Sequence, residues 1–225
     1  PARPAPAPAP PPPRPATIDR SIFRAYDIRG VVGKTLTVDV ARLIGQAVGS
    51  EARARGLQTV LVGRDGRLSG PELADAVVKG LLAAGCDVID IGAVPTPLLY
   101  FATHDLNAGS GIMVTGSHNP PDYNGFKIMI GGETLAEQDI QALYARIVED
   151  RLDKGRGALT QMDLTENYIE RISDRAVGYE IEQVAYEEDP LHILRVYDKE
   201  EWLKVLNPHW SLAKVDSQGL AQLLK

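Results

Sequence analysis

Apolar residues recur along this chain with two alternating periods. Over Val38–Arg55, positions Val40, Leu43, Ile44, Ala47 and Val48 share one face at helical spacing, and Gly56 closes the segment. Ser69-Gly-Pro-Glu72 reads as a capping box with proline in the first turn, opening a second helix that ends at Gly85. Glu137–Leu152 repeats the pattern with Ile140, Leu143, Tyr144, Ile147 and Val148. Between these lie short apolar runs that predict strands: Tyr26–Val32, Thr59–Gly63, Asp87–Ile91, Gly111–Thr115 and Phe126–Ile130. Strands alternating with helices predict an α/β fold, a mixed and mainly parallel sheet between helices. Such sheets bind ligands at the carboxyl ends of their strands. The polar loop Thr115–Gly125 follows a predicted strand and is therefore placed for chemistry.

The two ends differ from this central stretch. Residues 1–16 are almost entirely proline and alanine, with Arg3 and Arg14, and read as an extended polyproline linker, with a spacer, a disordered leader and a proline-rich ligand for a recognition module as the open alternatives. Residues 17–174 form the patterned domain. Residues 175–225 carry both tryptophans, Trp202 and Trp210, with Tyr179, Tyr186 and Tyr197 and the acidic run Glu187-Glu188-Asp189. There Glu180–Tyr186 and Leu191–Tyr197 suggest a strand pair, and Lys199–Leu206 and Ser217–Leu224 suggest short helices. This segment has no motif and stays unassigned, with a fusion or a non-native continuation as its expected origin.

Composition narrows the function classes. The 225 residues include 44% hydrophobic and 24% charged, enough for a sizeable core. The formal net charge is -6 with no basic run, which argues against a nucleic-acid partner. No apolar stretch approaches the roughly 18 residues of a membrane span, so no membrane partner is expected. The single cysteine, Cys86, excludes an intrachain disulfide and fits the reducing cytoplasm, the expected location.

The most informative segment is Thr115-Gly-Ser-His-Asn-Pro-Pro-Asp-Tyr-Asn-Gly-Phe-Lys127. Ser117 sits in a tight polar loop, where Gly116 is expected to let the backbone turn sharply and Pro120 and Pro121 to stiffen the exit. His118 and Asn119 add polar groups beside the hydroxyl. Lys127, on the following strand, is in a position to return its ammonium to the same mouth. A serine that attacks or carries phosphate needs such donors and a titratable neighbour. A surface turn rich in turn-forming residues has the same composition, so this pattern leaves both readings open. Other serine and phosphate motifs fail on spacing. A hydrolase elbow needs glycine two residues either side of the serine, where Thr115 and Asn119 stand. Gly30-Val-Val-Gly-Lys-Thr35 lacks the first glycine of a phosphate loop, because Ile28 occupies that position.

Four segments together resolve the ambiguity: Phe23-Arg-Ala-Tyr-Asp-Ile-Arg-Gly30, Gly63-Arg-Asp-Gly-Arg-Leu-Ser69, Val94-Pro-Thr-Pro97 and Thr115–Lys127. In order and spacing they resemble the landmarks of the N-terminal catalytic domain of the α-D-phosphohexomutases, in the bacterial phosphomannomutase/phosphoglucomutase branch. The resemblance runs from about Thr17 to Asp174. It implies that Ser117 is the phosphoserine and, through its phosphate, a magnesium ligand. Lys127 would be a general acid/base, Tyr26 and Arg29 would bind substrate, and His118 and Asn119 would frame the serine loop. Arg64, Asp65 and Arg67 match a landmark and read mainly as an ion-pair network holding loops together. The family's Asp-Gly-Asp-Gly-Asp-Arg metal loop, Gly-Glu-x-Ser-Gly-His sugar loop and phosphate clamp do not occur in the sequence.

The implied activity is exchange of hexose 1-phosphate and hexose 6-phosphate through a bisphosphate, with glucose 1,6-bisphosphate as activator and the remaining mutase domains needed as partners. The chain by itself is expected to be inactive. A non-enzymatic phosphoprotein or interaction module, its aromatic C-terminal segment forming the partner surface, is the alternative, and a structural fragment without activity is a third.

Overall fold

The structure, a computed structural model, describes residues 18–176 and two short strands, Glu182–Ala185 and Ser211–Lys214. The chain divides into two units after Tyr168.

In the first unit, helix α1 (Val38–Ala54) starts where Thr37 Oγ1 accepts from the amide of Val40, and it breaks at left-handed Gly56. Helix α2 (Gly70–Ala84) ends on Gly85 with φ 90°. The expected capping box does not form. Ser69 has α-helical dihedrals, φ -79° and ψ -10°, rather than the extended backbone a side-chain cap requires. Its hydroxyl instead accepts from Asn124 Nδ2 at 2.9 Å. Helix α3 (Thr96–Asp105) was not legible from periodicity, because Pro95 and Pro97 flank its start and its apolar positions barely favour one face. Helix α4 (Gln138–Val148) is shorter than the expected Glu137–Leu152, since the chain turns at Asp150 with φ 53°. A fifth helix, α5 (Thr165–Ala176), begins in this unit.

The strands are β1 (Ile28–Val31), β2 (Thr59–Arg64), β3 (Asp87–Ala93), β4 (Gly111–Val114), β5 (Tyr123–Ile130), β6 (Glu133–Thr134) and β7 (Leu159–Gln161). They form a mixed sheet in the order β1-β5-β4-β2-β3-β7, with β6 added to β5. From β4 through β7 the pairing is parallel; β5 runs against β4, β1 and β6. Strands β6 and β7 and helix α5 had no expectation in the sequence.

Period-2 alternation sends each strand's side chains to two cores. Val60, Val62, Ile112, Val114, Phe126 and Ile28 pack with α1, α2 and α4. Leu61, Ile91, Met113 and Met129 face the other way, where α3 supplies Leu98, Leu99 and Ala102. Helices α1 and α2 cross in backbone contact: a Cβ on Gly45 would lie 2.3 Å from the Val77 carbonyl oxygen, and one on Gly80 would lie 2.1 Å from that of Arg42. Among the described residues, no helix is long and apolar enough to cross a membrane.

In the second unit, β8 (Glu182–Ala185) pairs antiparallel with β9 (Ser211–Lys214). A strand is thus present inside the expected Glu180–Tyr186, but its partner is Ser211–Lys214, where no strand was expected, and not the expected Leu191–Tyr197. The other elements expected there, Leu191–Tyr197, Lys199–Leu206 and Ser217–Leu224, lie outside the described residues.

Candidate active site

Because β2, β3 and β4 are parallel, their carboxyl ends open on one edge. The register Arg64↔Val114 makes the loop Asp65–Ser69 and the serine loop leave the sheet side by side. Strand β3 ends opposite, and the Val94 amide donates to the Arg64 carbonyl at 2.9 Å before Pro95 leads into α3. Three of the four sequence landmarks therefore meet on one edge.

Ser117 lies at the exposed tip of its loop with φ 51°, a left-handed conformation uncommon for a residue with a side chain. The left-handed residue is thus the serine itself; Gly116 is not among the positive-φ positions. Glycine is needed at 116 for a different reason. A Cβ there would sit 2.2 Å from Cζ and Nε of Arg67. Oγ of Ser117 lies 3.4 Å from Nδ1 of His118, and the Ser117 amide donates to Thr115 Oγ1 at 2.9 Å. Asn119 folds back, its Nδ2 and its amide both donating to the Gly116 carbonyl, at 2.9 and 3.0 Å.

Arg67 reaches under this loop. Nη1 donates to the carbonyls of Pro120 and Tyr123 at 2.7 and 3.0 Å, and Nη2 donates to those of Ser117 and Asn119 at 2.9 and 2.6 Å. Nε faces Asp65 Oδ2 at 3.6 Å. Asp65 in turn accepts from the Arg67 amide at 3.0 Å and from the Gly116 amide at 3.1 Å. At the far end of the loop, fully buried Asn124 joins Ser69 and caps its own strand by accepting from Gly125 N at 2.8 Å.

The remaining expected site residues sit on the adjacent strands. Arg29 pairs in register with Gly125, whose carbonyl accepts from Thr115 N at 2.9 Å. Its neighbour Ile28 faces the α1 core, so alternation turns Arg29 to the opposite face, in the row that runs into the serine loop. Arg29 forms an ion pair with Asp27 through Nη2, and its Nε is buried with no hydrogen-bond partner. An orphaned buried donor of this kind calls for an acceptor brought by something else. Lys127 pairs with Met113 and shares that face; it is half-buried, and no hydrogen bond or ion pair holds its ammonium among the described residues. Tyr26 is 68% exposed and contributes nothing to the core. The structure thus brings Ser117, His118 and Asn119 together directly and lines up Arg29 and Lys127 on the sheet face beside them.

Residues 20–154 match the family model described as phosphoglucomutase/phosphomannomutase, alpha/beta/alpha domain I. The chain belongs to the phosphoglucomutase/phosphomannomutase family. A phosphomannomutase/phosphoglucomutase from Pseudomonas aeruginosa is 58% identical over 158 residues, which are 70% of this chain and 34% of that protein. A phosphoglucomutase from Neisseria gonorrhoeae is 51% identical over 160 residues, 70% of this chain and 35% of that one. A phosphoglucomutase/phosphomannomutase family protein of known structure from Burkholderia thailandensis superposes with a TM-score of 0.68 at 54% identity, over 70% of this chain and 36% of that one. The chain therefore spans about a third of the length of the curated relatives it matches, and what it shares with them is the family's first domain.

Magnesium can be tested against the residues present. Among the described residues, no three His, Cys, Asp or Glu side chains converge to hold a metal. The nearest carboxylate to Ser117 in this network, Asp65, is already engaged by Gly116 and Arg67. These residues do not make a magnesium shell. Sequence reasoning missed Asp27, Ser69 and Asn124. The Ser69–Asn124 bond joins positions 55 residues apart, and no local pattern signals such a pairing.

Proposed function

We propose that this chain is the phosphoryl-carrying domain of a phosphomannomutase/phosphoglucomutase, and that Ser117 is the carrier. The observation that supports it best is the exposed Ser117 hydroxyl, presented in a left-handed turn beside the His118 ring nitrogen, on a loop whose Ser117, Asn119, Pro120 and Tyr123 carbonyls accept from Arg67. In this reading phosphorylated Ser117 donates its phosphoryl group to the free hydroxyl of a hexose phosphate. The bisphosphate formed turns over, and its other phosphate returns to Ser117, so atoms and charge balance over the cycle. Phosphoryl transfer is governed by positioning and charge neutralisation more than by covalent chemistry. Arg29 Nε is the free buried donor for a phosphate oxygen, and Lys127 is the general acid/base: its ammonium gives a proton to Oγ of Ser117 as the phosphoryl group leaves, and the amine so formed takes the proton of the sugar hydroxyl. Tyr26 offers an exposed ring and hydroxyl to the sugar, and Asn119 holds the turn.

A phosphoserine at 117 would bring one oxygen ligand to magnesium, the rest coming from domains beyond the described residues, as would the sugar and distal-phosphate contacts. Glucose 1,6-bisphosphate would prime the serine. The setting we propose is the cytoplasm. By itself the chain should not convert glucose 1-phosphate or mannose 1-phosphate, because electrostatic stabilisation of the transferring group, usually the largest catalytic contribution, is incomplete. A coupled mutase assay tests this reading on the chain alone and on the chain extended by a relative's remaining domains, each with and without Ser117→Ala. Turnover is expected only in the extended protein with Ser117 intact. Conversion by the chain alone at about one per second, within the ordinary enzyme range, would refute the claim that the chain by itself is inactive. Full activity in extended Ser117→Ala would refute the carrier role of Ser117.

A further inference from the structure

We infer that Arg67 is a positioning residue whose guanidinium fixes the backbone of Ser117 and thereby aims its hydroxyl, with Asp65 and the bare Gly116 as the two features that let it do so. The conformation of a residue is set by the peptide planes on either side of it, and both planes around Ser117 are fixed. On one side its amide donates to Thr115 Oγ1; on the other its carbonyl accepts from Arg67 Nη2. The direction of the Cα–Cβ bond has little freedom left, and the hydroxyl keeps only rotation among its staggered χ1 positions.

Arginine is suited to this task. A guanidinium carries five N–H donors in a rigid plane, whereas a lysine ammonium is a point with three. Arg67 directs its Nη donors at four carbonyls between Ser117 and Tyr123 and its Nε at Asp65. Its four Nη hydrogens are taken by the loop carbonyls, and Nε lies 3.6 Å from the Asp65 carboxylate as an ion pair, so its contribution to chemistry would be indirect. Asp65 ties both ends of the arrangement, accepting from the Arg67 amide with one oxygen and the Gly116 amide with the other. A methyl group at 116 would occupy the guanidinium's place, 2.2 Å from Cζ. Alanine at 116 would therefore force the guanidinium to shift from this seat. An unpositioned serine would also be free to leave its left-handed conformation, which persists only where its surroundings enforce it.

The latch is read from geometry alone, while its consequence for phosphoryl transfer rests on the proposed role of Ser117. Two measurements keep these apart. The first is amide hydrogen exchange across the full chain for Gly116→Ala, Arg67→Ala, the double variant and Arg67→Lys. The amides of Gly116, Ser117, Asn119 and Tyr123 should exchange about tenfold faster or more in each single variant, with the core strands unchanged. The double variant should add less than about threefold to either single one, because coupled residues are not additive. Free guanidinium, well below denaturing concentrations, should restore protection to Arg67→Ala. Unchanged protection in Arg67→Ala, or single effects that multiply in the double variant, would overturn the latch.

The second measurement is the rate of Ser117 phosphorylation by glucose 1,6-bisphosphate in the chain extended by a relative's remaining domains. Arg67→Lys should lower the maximal rate about tenfold or more and leave the half-saturating concentration within about twofold, the pattern of a group that acts only on the transition state. An unchanged maximal rate would overturn the positioning role. Failure of the unaltered protein to take up phosphate would instead refute Ser117 as carrier, leaving the exchange result to judge the latch.

Discussion

Arg67, on the loop after β2, and Arg29, in β1, each present a guanidinium near the serine loop, but both Nη nitrogens of Arg67 donate to loop carbonyls and its Nε faces the Asp65 carboxylate, while Arg29 keeps a buried Nε with no partner. The first region is internally complete: loop, carboxylate and arginine satisfy one another. The second is not, since Asp27 takes only one side of Arg29 and nothing in the described residues holds Lys127. The difference teaches how to divide polar residues at one edge into scaffold and ligand-binding groups. Saturated donors hold the protein's own backbone, and orphaned ones await an acceptor from outside.

Several substitutions would break or sharpen that division. The largest contrast lies on β5, where Phe126 and Lys127 are neighbours on opposite faces. Phe126→Ala should cost about 3–5 kcal/mol of stability, the usual range for a fully buried phenylalanine, read as a lowered denaturant midpoint. Lys127→Met should leave stability nearly unchanged and lower turnover of the extended mutase about a hundredfold or more, the range of general acid/base groups. Normal turnover would remove Lys127 from the mechanism, and a large stability loss would make it scaffold.

A smaller effect is expected at the orphaned donor. Arg29→Lys keeps the charge but removes Nε. If that donor binds a phosphate oxygen, kcat/KM should fall about tenfold or more, matching a charge-assisted hydrogen bond of about 1.5–3 kcal/mol. Loop amide exchange should stay as it is. Faster exchange at Ser117 without loss of kcat/KM would invert the comparison and place Arg29 with the scaffold.

The smallest expected effect concerns a saturated cluster remote from the site. Glu51, in α1, accepts from Arg55 Nε at 2.9 Å and from Arg146 Nη2, in α4, at 2.6 Å. Burial pushes its carboxyl up, but the two guanidiniums outweigh this and hold it below its ordinary 4.5. A lowered native value means the unfolded chain binds the proton more readily. The stabilisation is therefore complete above pH 4.5 and is lost as pH falls below that through the native value. Glu51→Gln should flatten this part of the acid limb by up to about 1 kcal/mol, the scale of partly exposed pairs. An unchanged acid limb would show that the cluster adds nothing to stability.

Much of this was legible beforehand, for identifiable reasons. The strands β2, β3 and β4 and helices α1 and α2 carry strong periodicity, and tertiary packing only sharpened their ends. Helix α3 was hidden because Pro97 lies in its first turn and its apolar residues do not form a clear stripe. The Ser69 capping box was a sound local pattern that lost its hydroxyl to Asn124, a partner 55 residues away. At the site, the ion-pair network expected of Arg64, Asp65 and Arg67 forms between Asp65 and Arg67, and Arg64 makes no ion pair among the described residues. Two things were not legible: that Gly116 is bare to admit a guanidinium, and that the strained residue is the serine. Both are matters of distance across the fold, which spacing along a chain does not encode. Cys86 is fully buried, and its thiol is raised to about 11, chiefly by burial. It should resist thiol reagents in the native protein and react on unfolding.

The account stands on Ser117 as the residue that holds phosphate, and peptide mapping by mass spectrometry reads this directly. The chain, extended by a relative's remaining domains, is treated with glucose 1,6-bisphosphate and magnesium, digested, and searched for phosphorylated peptides. The expected result is one phosphate per chain, on Ser117, absent from Ser117→Ala. Stable phosphate on a different residue with Ser117 unmodified, or the same phosphate content in Ser117→Ala, would contradict it.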